Sequence, residues 1–136
     1  MDKKNQIQQL INSRKLRTNE EYVLFEGALQ ALYSNITIDD IAEICKAFCD
    51  DTNDDEVMFG IIHLIEQLQG EEYLKKIAIC TPDMKEAHDW AMTLNKRIIN
   101  SQNFFEKYIE IIGDLEKEHK EKILKLFQSF MLMVLY

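Results

Sequence analysis

The stretch Cys49–Met58 reads CDDTNDDEVM, and Asp50, Asp51, Asp54, Asp55 and Glu56 fill five of the seven positions from 50 to 56. So many oxygens at one point could coordinate a cation, serve an active site, cap a helix or present a face to a positively charged partner. A calcium loop of the EF-hand kind needs oxygens at alternating positions, glycine at the sixth and glutamate at the twelfth. Counting from Asp51 puts Glu56 where glycine belongs and Ile62 where glutamate belongs, and counting from Asp50 ends on Ile61. The calcium reading fails on both registers. Thr52 followed by Asp55 resembles a capping box, with acidic side chains facing the positive end of a helix. A cap uses two or three of these five charges; the others repel one another without structural return. That surplus is the first sign of a partner.

Other chemistry-bearing residues carry less. His63 and Glu66 lie three apart, but a di-metal carboxylate bundle places the glutamate first and repeats the motif. Here the order is reversed and occurs once, so His63 reads as a residue at the edge of a core and Glu66 as a solvated or paired side chain. His88 and His119 have no ligand-like spacing. Ser13, Ser34, Ser101 and Ser129 lack a strand–turn–helix nucleophile elbow, and there is no glycine-rich phosphate loop. The three cysteines, Cys45, Cys49 and Cys80, sit in apolar patterns and read as reduced, mostly buried thiols of a cytoplasmic protein. Trp90 shares an apolar helical face with Ala87, Ala91 and Leu94, which makes it core. No catalytic constellation, cofactor motif or metal set emerges, and the chain reads as a non-enzyme.

The elements that must position the acidic run follow from composition and period. The 136 residues contain one proline and four glycines, 46% hydrophobic and 29% charged residues. That is a single globular domain over residues 1–136 with little turn chemistry for hairpins. Apolar residues recur at helical spacing nearly throughout. The pattern predicts an all-α fold of seven to eight short helices, paired as antiparallel hairpins in a HEAT-like short solenoid or an irregular bundle. The first runs near Lys3–Ser13; Asn19 caps the second, with the stripe Tyr22, Phe25, Leu29 and Leu32. A third carries Ile38, Ile41, Ile44, Cys45 and Phe48. The acidic run starts a fourth that Gly70 ends, Glu71–Cys80 is a fifth, and Thr81-Pro82 opens a sixth, Asp83–Ile99. A seventh carries Phe104, Tyr108, Ile111 and Ile112, and an eighth runs from Glu116 to about Leu135. There is no signal-peptide core at the start, and no apolar run reaches membrane-spanning length.

Charge is unevenly spread. The net charge is −8, which argues against nucleic acid as a direct ligand. Residues 1–38 and 90–136 are each net +1, whereas 39–89 are net −10 and Asp39–Glu56 alone net −7.

The sequence FCDDTNDDEVMFGIIHLIE, Phe48–Glu66, resembles the immunity protein 30 family, small bacterial proteins encoded beside polymorphic toxins. The preceding FEGALQALYSNITIDDIAEICKAF and the later EAHDWAMTLNKRIIN extend the similarity over roughly Tyr22 to Ile112. The resemblance implies an all-helical fold and neutralisation of a cognate toxin without catalysis. Nuclease toxins have basic active sites because they grip phosphates, and a carboxylate-rich surface can mimic phosphate there and steer encounter. On that reading Asp50, Asp51, Asp54, Asp55 and Glu56 form the contact centre. Asp39, Asp40 and Glu43 adjoin it on the third helix, and Glu71 and Glu72 are outer contacts. The competing reading is a helical scaffold that forms a homodimer through the apolar ending FQSFMLMVLY. A third, a metal enzyme built on His63, would require bound metal.

Overall fold

Few helix breakers and a persistent helical period leave the backbone one economical way to satisfy its own hydrogen bonds. The computed structural model describes the backbone of residues 2–135 and the side chains of residues 2–128. It is all-α, with no strand among the described residues. The helices are α1 (Lys3–Asn12), α2 (Asn19–Leu32), α3 (Ile41–Ile44), α4 (Asp55–Met58), α5 (Gly60–Glu66), α6 (Glu71–Cys80), α7 (His88–Ile99), α8 (Phe105–Gly113) and α9 (Lys117–Leu135). Short 3-10 turns at Ile38–Asp40 and Cys45–Ala47 flank α3, and two more, Thr81–Asp83 and Lys85–Ala87, lead into α7. Met1–Leu68 and Gln69–Tyr136 form two compact units.

In the first unit α1 packs on α2, α3 and the Cys45–Ala47 turn, and α2 packs on α5. Leu10, Phe25, Leu32, Ile41, Ile44 and Ile61 are fully buried. Thr18, not Asn19, caps α2: the Glu21 amide donates to its hydroxyl at 3.1 Å. The third expected helix is broken into 3-10, α and 3-10 turns, and Phe48 ends it in an extended conformation. The expected fourth helix is one path tightened at Phe59, whose amide still bonds the Asp55 carbonyl at 2.9 Å. Gly60 follows because a Cβ there would lie 2.9 Å from Leu29 Cδ1, so a small residue lets α5 approach α2. Gly70 does not end that helix, which stops at Glu66. With φ 135° it begins α6 instead, in a conformation that glycine adopts without strain.

In the second unit α6, α7, α8 and α9 each touch the other three, as helices of a small bundle do. Thr81-Pro82 breaks α6 as expected, but α7 starts at His88, five residues after Asp83. Trp90 is buried at 8% exposure, together with Ala91 and Leu94. A polar chain crosses this apolar interior. The Tyr108 hydroxyl donates to Asn95 Oδ1. Asn95 Nδ2 donates to Thr81 Oγ1 at 2.9 Å and to the Ala91 carbonyl at 2.8 Å, and the Thr81 hydroxyl donates to Ile77 at 2.7 Å. Burial raises the Tyr108 pKa, which keeps the phenol a donor. The apolar ending from Ser129, and with it the expected dimer contact, lies outside the residues whose side chains are described.

Removing the Tyr108 hydroxyl strands a buried amide oxygen. Tyr108→Phe is expected to lower unfolding free energy by about 1–3 kcal/mol, measured by urea denaturation with an unchanged far-UV spectrum. No loss of stability would mean that Asn95 finds another donor.

Candidate partner-binding surface

The acidic run is a short connection between the Cys45–Ala47 turn and α4, held at both ends and in the middle. Phe48 and Cys49 are buried, and the Cys49 amide donates to Met58 Sδ at 3.2 Å. Across from it lies the α1–α2 connection. The Thr52 hydroxyl donates to the Arg14 carbonyl and the Asn53 amide to the Lys15 carbonyl, each at 2.9 Å. Thr52 therefore does not cap the helix. Asp54 does: its carboxylate accepts the Val57 amide at 3.0 Å and the Tyr22 hydroxyl at 2.8 Å. The cap lies two residues beyond Thr52 because Thr52 is engaged by Arg14.

The five clustered carboxylates thus divide by role. Asp54 is half-buried and structural. Asp51 accepts Arg17 Nη2 at 2.7 Å, while Arg17 Nη1 donates to Asn53 Oδ1. Asp50 is exposed. Asp55 and Glu56 occupy the first turn of α4, exposed and without an ion pair among the described residues. Glu26, one turn beyond Tyr22 on α2, is also exposed, and its charge reaches the Tyr22 hydroxyl. It adds a carboxylate near Asp54 that the linear run does not contain.

The adjoining candidates are more committed to the fold. Asp40 closes a capping box with Thr37 and pairs with Lys3 Nζ at 2.8 Å. Glu43 pairs with Lys46 at 2.9 Å, both exposed. Asp39 is exposed without an ion pair among the described residues. Glu71 and Glu72 belong to the second unit, in the first turn of α6. Glu71 pairs with Lys107 at 3.0 Å, and Glu72 is exposed. Both line an open cavity of about 250 Å³ with Lys75, Ile111, Asp114 and Leu115.

Electrostatics agrees with that division. The Val57 amide, then the Tyr22 hydroxyl, lower the Asp54 pKa below its ordinary value. Burial acts to raise that of Asp40, but Lys3 and the Thr37 amide outweigh it and the net shift is downward. The Asp54 hydrogen bond raises the Tyr22 pKa, with burial adding to it. His63 is exposed, its ring 5.0 Å from that of Phe59 in an edge-on arrangement, and Glu66 is half-buried. Among the described residues no group of three His, Cys, Asp or Glu side chains could hold a metal. Cys45 and Cys49 are buried and Cys80 half-buried, none of them in a disulfide, and burial raises the Cys80 pKa. Asp50, Asp51, Asp55 and Glu56 thus lie exposed on one braced connection.

Residues 12–108 match the family model of immunity protein 30. No curated protein and no solved structure gives a significant match. The matched span contains the whole acidic run, the connection that holds it and the Tyr22–Asp54 bond.

A carboxylate whose folded pKa is depressed adds stability above its unfolded pKa, and that stability is lost as pH falls through the folded value. Asp54→Ala is therefore expected to unfold at lower denaturant than the parent at pH 7. The gap should narrow once pH drops below about 4, the ordinary aspartate range. An equal gap at neutral and acid pH would show that the charge of Asp54 contributes nothing to the cap.

Proposed function

Because the chain belongs to the immunity protein 30 family, we propose that it binds and neutralises a cognate bacterial toxin of basic, nuclease type through the acidic corner at Asp50–Glu56. One observation carries this reading: Asp50, Asp51, Asp55 and Glu56 stand exposed on a connection already held to the Arg14 carbonyl by the Thr52 hydroxyl and to the Lys15 carbonyl by the Asn53 backbone amide. Binding then needs little ordering of the chain, which is the usual entropic cost of a loop-borne interface. Exposed like charges in a fixed array steer a cationic partner and compete with the phosphates that it grips.

The ion pairs do not oppose this. Arg17–Asp51 and Lys46–Glu43 are exposed pairs, and such pairs contribute at most about 1 kcal/mol. A partner can exchange them at small cost. Asp51, Asp55 and Glu56 are the contact centre, with Asp50 and Glu26 beside them; Asp39 and Glu43 extend it. Asp54 and Asp40 act by holding the surface in shape. Glu71 and Glu72 form a further acidic site on the second unit. The matched span includes residues of both compact units, which supports one functional domain across the chain. Neutralisation by occupancy requires no catalysis. Three cysteines outside any disulfide suit a reducing cytoplasm, and among the described residues no helix is long and apolar enough to cross a membrane.

The test is protection of cells that express the toxin encoded beside the gene. Asp55→Asn with Glu56→Gln is expected to weaken toxin binding about tenfold or more and to lessen protection, with the helical spectrum unchanged. Among the described residues these two side chains have no ion pair to lose, so the effect reads the contact itself. Full protection by the double variant would remove the acidic corner from the mechanism.

A further inference from the structure

We draw no further inference here: the strongest candidate, the exposed apolar face of α8 formed by Phe105 and Ile109, carries nothing because nothing in the structure shows what covers it.

Discussion

Like charges placed side by side must be held against their own repulsion, and here the backbone does the holding. The Thr52 hydroxyl and the Asn53 amide bond to the carbonyls of Arg14 and Lys15, and Cys49 is anchored on Met58. Asp54 turns inward to cap α4 and receive Tyr22. With that frame in place Asp55 and Glu56 need no internal cation to stay where they are. An array braced from beneath can leave its outward charges uncommitted, whereas one braced by salt bridges would consume them.

The distribution of internal partners follows the same logic. Asp40, which stitches the start of the α3 region to Lys3 of α1, is among the less exposed carboxylates. Asp55 and Glu56 gain from the positive end of α4 at their backs, a favourable placement that leaves their outer faces open. The fold therefore tolerates the surplus locally: some carboxylates cap, some pair across elements, and the remainder sit where a helix end offsets part of their repulsion. In the second unit the buried Tyr108–Asn95–Thr81 chain ties three consecutive parts of the bundle by hydrogen bonds inside an apolar interior. Such a chain is costly to break and fixes one packing.

Much of this was legible in the sequence where period and punctuation agreed. Glu71–Cys80 matches α6 end to end, and the Thr81-Pro82 break falls where proline removes a helix amide. Local rules failed where a tertiary bond took a residue away from its local role. Thr52 looks like a cap, but Arg14, far behind it in sequence, takes its hydroxyl. Tyr22 fits the apolar stripe of α2 by spacing, yet its hydroxyl serves Asp54. The Thr18-x-x-Glu21 pattern did carry a readable capping signal one residue before Asn19. Arg17 and Glu26 had none, because their relation to the acidic run exists only after α1 and α2 fold back on each other. Charge counting along the chain found the excess; only three dimensions sorted the carboxylates into braces and open groups.

The left-handed turn at Leu16 has a bearing on how such a surface diverges. Adding or deleting one residue between Arg14 and Thr18 would slide two carbonyls and a guanidinium out of register with the strip they serve. Exchanging an outward side chain at 55 or 56 disturbs none of those bonds. Outward side chains on this corner are thus free to vary, while the length of the connection beneath them stays under constraint.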